Sequence, residues 1–323
     1  GKGTTVTKDY SAEGLRGLAA LSVYFAHFFL AFFPLGFVHF FPWVAQAGAQ
    51  SGLTEKVIAA PFLDAMWSGR FAVCIFFVLS GYVLTKGYER TADANILRSL
   101  AFRRYFRLGI PVLGSVMLAF CLARLGLYRI DDTVALTKSH WLENLAIADL
   151  SFAHALRDGF YGVVFLGHDQ FNTVFWTMQT EFVGSMAIFA YRMLSFPGWR
   201  RLMMAAVYVA LAAALSPTAW PYYLAFLLGS HIDGWLRPMS TWKKGTVLAL
   251  AVYLASIDAS PMFWPFNAVP LDDVIRSALW SVFAGFLVVY AVRAGALSGL
   301  LLSRPVQFLG RISYPLYLVH API

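Results

Sequence analysis

Leu15-Arg16-Gly17-Leu18-Ala19-Ala20-Leu21-Ser22-Val23-Tyr24-Phe25-Ala26-His27-Phe28-Phe29-Leu30-Ala31-Phe32-Phe33-Pro34-Leu35-Gly36-Phe37 is an apolar run carrying one arginine and one histidine. As a helix rising 1.5 Å per residue it is long enough to cross a hydrocarbon core about 30 Å thick. It is too long for a secretory signal and no small-residue cleavage site follows it, so it reads as a retained span. Eight further apolar runs follow, at 71–88, 108–127, 173–191, 202–216, 219–236, 245–260, 274–292 and from 306 onward. The stretch 141–166 is apolar in places but is interrupted by Glu143, Asp149, His154, Arg157 and Asp158, and reads as an external amphipathic or re-entrant segment. The expectation is an all-α, polytopic transmembrane helix bundle with about nine spans in this chain and about ten if complete. The whole of 1–323 reads as a single transmembrane domain, expected to be truncated at its C-terminal end because the last run stops at Ile323.

Composition agrees. Of 323 residues, 59% are hydrophobic and 13% charged, about half the charged share of a soluble domain, and the mean hydropathy is +0.64. Cys74 and Cys121 both lie in apolar runs, which excludes a disulfide framework or a zinc knuckle. A net charge of +8 raises the question of nucleic acid, but no basic stripe with stacking aromatics exists to hold it. With the N-terminus inside, 18 of the 25 basic residues fall on cytoplasmic loops, among them Lys2, Lys8, Arg98, Arg200 and Lys243. That asymmetry is the positive-inside pattern, and it accounts for the charge without a polyanion. A multi-pass protein of the plasma or inner membrane, in contact with lipid, is expected.

Polar groups at membrane depth usually mark a pathway or a reaction centre. His27, Ser80, Glu181 and His320 come from four separate runs and lie at similar depth. Arg16 is eleven residues before His27, which returns it to within about 20° of the same helical azimuth. One face thus joins the interface to the midplane. Arg103, Arg104 and Arg107 stand just before the third run, and guanidinium forks suit phosphate oxygens. Basic residues at a cytoplasmic helix end are also expected from topology alone. His154-Ala-Leu-Arg-Asp158-Gly159 has the spacing of a soluble CoA-dependent acyltransferase element, but such a spacing arises readily by chance and receives no role. His39 and His168 lack metal-ligand spacing, and no metal is expected.

Five strings, in order, resemble the family-3 membrane acyltransferases, the O-acetyltransferase family of envelope and secreted glycans. They are Leu15-Arg16-Gly17-Leu18-Ala19-Ala20 with His27, then Phe76-Phe77-Val78-Leu79-Ser80-Gly81, then Arg104-Tyr105-Phe106-Arg107. Trp176-Thr177-Met178-Gln179-Thr180-Glu181 and Ser313-Tyr314-Pro315-Leu316-Tyr317-Leu318-Val319-His320 complete the set. The resemblance implies transfer of an acyl group, usually acetyl, from cytoplasmic acyl-CoA to a hydroxyl. It implies no permanently bound cofactor, with acyl-CoA as donor substrate and a glycan or other hydroxyl-bearing acceptor as partner. By match to the motif positions it makes Arg16 and His27 the essential pair, Arg104 and Arg107 the cytoplasmic arginines and Glu181 the intramembrane acid. The expected site is then Arg16, His27 and Glu181 for catalysis, Arg103, Arg104 and Arg107 for the donor, and Ser80, Tyr314, Tyr317 and His320 as a substrate or structural site. The rival reading from the residues is a secondary transporter with a His/Glu proton relay, which usually shows an inverted repeat; none is found.

The charge asymmetry predicts a topology. Single cysteines placed near Asp131 and Asp272 should react with an impermeant reagent from outside, and one near Lys243 only after permeabilisation. Labelling near Lys243 from outside would make 141–166 a span and invert everything after it.

Overall fold

Asp9 starts the first helix: its carboxylate accepts the Ala12 N–H at 3.1 Å, relieving a donor that the first helical turn leaves unpaired. The helix ends at Phe32 because Phe33 precedes Pro34, whose ring disfavours helical backbone in the residue before it. The computed structural model describes residues 9–45, 50–194, 198–258 and 260–322. Lys2, Lys8 and Ile323, invoked above, lie outside them. Among the described residues nine helices have fifteen or more residues. They are α1 (Tyr10–Phe32), α2 (Gly69–Thr91), α3 (Ala94–Arg124), α4 (Trp176–Leu194), α5 (Trp199–Leu215), α6 (Trp220–Trp235), α7 (Thr241–Ala255), α8 (Asp273–Arg293) and α9 (Arg304–Val319). No strand occurs among the described residues, only an isolated bridge between Ala45 and Ser139.

Each of the nine apolar runs therefore coincides with a helix. Four of them, α1, α2, α3 and α8, are long and apolar enough to cross a membrane; the other five have 15 to 19 residues. Outward-facing apolar side chains support membrane character. No residue of α5 is buried, and Leu202 and Leu215 are 75% and 81% exposed.

The largest correction to the sequence reading concerns the third helix. It begins at Ala94, fourteen residues before the apolar run, and extends for 31 residues. Helices begin where a cap permits, and Asp93 accepts the Asn95 N–H at 2.9 Å. Ala92, in the left-handed region at φ 53°, ends α2 immediately before it. Arg98, Arg103, Arg104 and Arg107 are thus helical residues rather than loop residues. The stretch 141–166 is broken into a 3-10 turn (His140–Leu145), a short helix (Phe152–Arg157) and a π-helical segment (Asp158–Leu166) that packs on α3.

α2 is central, packing against α1, α4, α6 and α8. α1 lies between it and α9, so the first and last helices are neighbours. A Cβ on Gly17 would stand 2.4 Å from the Gly310 backbone nitrogen, and one on Gly310 2.5 Å from the Glu13 carbonyl oxygen. The two backbones meet with no side chain between them, a packing that membrane helices use where no hydrophobic effect drives association. A polar knot closes the same end. Asp9 Oδ2 accepts from Tyr82 Oη at 2.7 Å and Arg293 Nη1 at 2.8 Å, and Arg293 also donates to Asp233. Burial raises the Asp9 carboxyl, but Tyr82, the Ala12 N–H, Arg293 and Lys86 outweigh it and hold the group below its usual range.

Gly17→Ala should therefore lower the detergent melting temperature, by an overpacking cost of about 1 to 3 kcal/mol. Gly114→Ala, where a Cβ meets nothing, should leave it unchanged or slightly raised. Equal melting of the two variants would show that the α1–α9 contact is not close.

Candidate active site

Two cavities lie along the bundle and share Val73 and Tyr317 as a wall. The first, of about 220 Å³, is lined by Arg16, Ser80, Arg104, Arg107, Glu181, Tyr314 and Tyr317 among others. The second, of about 520 Å³, is lined by His27, Trp141, Trp176, Tyr222 and Arg70 among others. They are called here the arginine cavity and the histidine cavity.

In the arginine cavity, Glu181 of α4 is the organising group. Its Oε1 accepts Ser80 Oγ from α2 at 2.5 Å and is ion-paired with Arg104 Nη2 from α3. Arg104 Nε donates to Ser185 Oγ at 2.9 Å, and Ser185 Oγ donates to the Glu181 carbonyl at 2.5 Å. Arg104 and Glu181 are each only 9% exposed. Three helices are joined by a buried charge pair, with a serine hydrogen-bonded to each partner, which lowers the cost of burying the charges. Arg16 and Arg107 line the same cavity, and no described residue forms a hydrogen bond or ion pair with either guanidinium. With the one acid engaged, two uncommitted cations remain, and the cavity favours an anion.

In the histidine cavity, His27 Nδ1 lies 2.7 Å from His320 Nε2, and His320 Nδ1 lies 3.1 Å from the Leu316 carbonyl. A carbonyl only accepts, so His320 Nδ1 carries its proton and, in the neutral ring, Nε2 accepts. His27 Nδ1 must then donate, which leaves a lone pair on His27 Nε2. The tautomers follow from the hydrogen-bond chain. Trp141 stacks on the His27 ring at 5.1 Å and fixes its plane. The end of α9 is held by the Leu318 carbonyl, which accepts from Ser115 Oγ at 2.6 Å and Asn172 Nδ2 at 2.7 Å.

This chain matches the acyltransferase domain family, acyltransferase family 3, over residues 9–323. The chain belongs to that family. It is similar to acyltransferase clz18 of Cochliobolus lunatus, with 25% identity over 389 aligned positions that cover 95% of this chain and 81% of the relative. Acyltransferase R4 of a Phoma species is similar at 24% identity, with the same coverage. No solved structure matches the chain.

The acyltransferase divides between two sites the four residues expected at one depth, His27, Ser80, Glu181 and His320. Arg16, Ser80, Arg104, Arg107, Glu181 and Tyr314 gather in the arginine cavity, His27 lines the other with His320 hydrogen-bonded to it, and Tyr317 stands between, its hydroxyl 2.8 Å from Thr177 Oγ1. Glu181 does not hydrogen-bond His27; His320 does. Shared depth places residues in one slab of the bundle but does not select neighbours within it. Arg103 joins neither cavity; it is exposed and its Nε donates to the Ser99 carbonyl one turn back at 3.2 Å. Three residues cannot all share one helical face; Arg104 turns inward, and Arg107, one turn on, borders the cavity while staying exposed.

The His154–Asp158 spacing dismissed as chance in the sequence belongs to a His-Asp-His cluster. Asp158, fully buried, has His168 Nδ1 at 2.9 Å from one oxygen and His154 Nε2 at 3.2 Å from the other. The i, i+4 spacing of His154 and Asp158 was the available signal. Gly162 allows the approach, since a Cβ there would lie 2.7 Å from His168 Nδ1. The cluster carries the adjoining loop, where Asp169 and Gln170 line the histidine cavity.

Arg104 and Arg107 should respond differently to truncation, contrary to the sequence expectation that both act mainly on the donor. Arg104→Ala strands the buried Glu181 carboxylate and should destabilise the fold by about 3 to 5 kcal/mol, read as a lowered detergent melting temperature. Arg107→Ala should leave melting unchanged while weakening acyl-CoA binding. An Arg104→Ala protein that melts like the parent would remove the ion pair's structural role.

Proposed function

We propose that the protein is an integral-membrane O-acyltransferase that moves an acyl group, acetyl by preference, from cytoplasmic acyl-CoA to a hydroxyl of a carbohydrate or other envelope or secreted acceptor. The observation that carries this reading is the His27–His320 pair at 2.7 Å, with His27 lining a large cavity beside a second, cation-rich one. Family membership supports acyl transfer. The two uncommitted guanidiniums, Arg16 and Arg107, support an anionic donor, with Arg107 at the mouth and Arg16 deeper.

The donor's phosphates remain at the mouth beside Arg107, since 220 Å³ admits only the acyl-bearing arm. The thioester carbonyl reaches the Val73–Tyr317 wall while the acceptor occupies the histidine cavity. His27 Nε2 takes the acceptor hydroxyl proton as the oxygen attacks the thioester carbonyl carbon. The C–O bond forms, the C–S bond breaks, and the departing thiolate recovers the proton from His27. His320 orients the base and disperses the positive charge that His27 gains. Glu181 orders the donor side through Ser80 and Arg104. The N-terminus is cytoplasmic in this reading and the membrane is the plasma or inner membrane.

His27→Gln should reduce acetyl transfer from labelled acetyl-CoA about 10² to 10⁴-fold, with acetyl-CoA binding and melting retained. Transfer at near the parental rate by a folded His27→Gln protein would remove the base from the mechanism.

A further inference from the structure

The histidine cavity contains a cation that the reaction does not use. Arg70, at the first turn of α2, lines the cavity and is half-buried. Its Nη1 donates to Ser277 Oγ of α8 at 2.5 Å, and Ser277 Oγ lies 3.2 Å from the Val274 carbonyl. That serine therefore fixes the guanidinium without neutralising it. The Phe41 ring lies 5.9 Å from the Arg70 guanidinium carbon. No described carboxylate forms an ion pair with Arg70, although nearly every other inward-facing arginine outside the arginine cavity has one: Arg192 with Glu89, Arg293 with Asp9 and Asp233. The acid that lines the same cavity, Asp169, stands exposed on the loop and forms no ion pair with Arg70.

An uncompensated, half-buried guanidinium costs desolvation that a bound anion can recover, and its planar fork fits a carboxylate with two parallel hydrogen bonds. The surrounding wall is aromatic. Trp176 packs against Tyr222 at 5.4 Å, Trp141 holds the His27 ring, and Trp43 lies at the rim. Asn144 and Gln170 add side-chain amides that hydrogen-bond no described residue. A cavity of about 520 Å³ is within the usual range for one small molecule or one terminal residue of a larger one.

We propose that the acceptor is a carboxylate-bearing alcohol with a flat or ring-shaped body: Arg70 holds its carboxylate, the tryptophans hold its body, and its hydroxyl meets His27. The assignment rests on the acyl-transfer reading for the role of the hydroxyl, but the carboxylate site itself does not. An acidic sugar and an aromatic hydroxy acid share this chemistry.

Two matched pairs of probes separate them: p-nitrophenyl glucuronide against p-nitrophenyl glucoside, and 6-hydroxy-2-naphthoate against its methyl ester. Binding to the detergent-solubilised protein is followed by quenching of tryptophan fluorescence, and acetyl transfer to each probe by labelled acetyl-CoA. At least one acid should bind about 10 to 100-fold more tightly than its neutral partner, the range expected of a bidentate charge-assisted contact. The pair that responds identifies the body. Arg70→Met should erase that preference while acetyl-CoA binding stays at the parental value; Arg70→Lys should keep part of it. Ser277→Ala, which leaves the charge but frees the guanidinium, should reduce the preference and provides a second reading if Arg70→Met does not fold. Equal binding of acid and neutral probes, a preference that survives Arg70→Met, or no binding of either pair would overturn the proposal. Acid-selective, Arg70-dependent binding without any acetyl transfer would uphold the carboxylate site and count against acyl transfer instead.

Discussion

The close approach of α1 and α9 is the constraint on which the site depends. Gly17 and Gly310 let two backbones meet where any side chain would hold them apart. Within lipid this contact gains little from the hydrophobic effect, so close packing of small residues must supply the cohesion. Ten residues beyond Gly17 on α1 is His27, and ten beyond Gly310 is His320. The two helices run so that these side chains meet at 2.7 Å. A histidine from each end of the chain becomes one hydrogen-bonded pair, with its tautomers set by a single carbonyl at Leu316.

A second constraint is electrostatic. The Arg104–Glu181 pair is buried, where an unpartnered charge would be expensive, and Ser80 and Ser185 add one hydrogen bond to each partner. This pair ties α2, α3 and α4 together and leaves Arg16 and Arg107 without a partner among the described residues. The result is a bundle with chemically different chambers on the two sides of Val73 and Tyr317. One is small and cationic. The other is larger, has four aromatic rings from Trp43, Trp141, Trp176 and Tyr222 in its wall, and is lined by His27 and Arg70. Such a division suits a reaction whose two substrates arrive separately.

The segment between α3 and α4 makes a different contribution. Its own sequence is too polar to be buried in lipid and too apolar to remain in water, and it folds over the histidine cavity. Asp158 organises it by holding His154 and His168 from opposite sides. The π-helical turn that follows, closed by Gly167 at φ 73°, returns the chain to bring His168 to that carboxylate. Trp141, from the preceding turn, reaches the His27 ring.

The amino-acid sequence by itself determined the helices, the apolar faces and the family, because hydropathy runs and short motifs are local properties that survive without a fold. It also determined that Arg16, Ser80, Glu181, His27 and His320 are exceptional, since an ionisable or polar group at such depth stands out in any arrangement. Only the tertiary structure decided which of them touch. Residues at one depth on different helices can be neighbours or lie across the bundle, and helix order around the bundle is not written in hydropathy; Glu181 went to Arg104 and Ser80, and His27 to His320. Helical phase likewise turned Arg104 inward and Arg103 outward, one residue and about 100° apart. Arg70 gave no signal at all in one dimension, because an arginine at the end of a span is the common case and its lack of a counter-charge is a property of what the other helices bring to it.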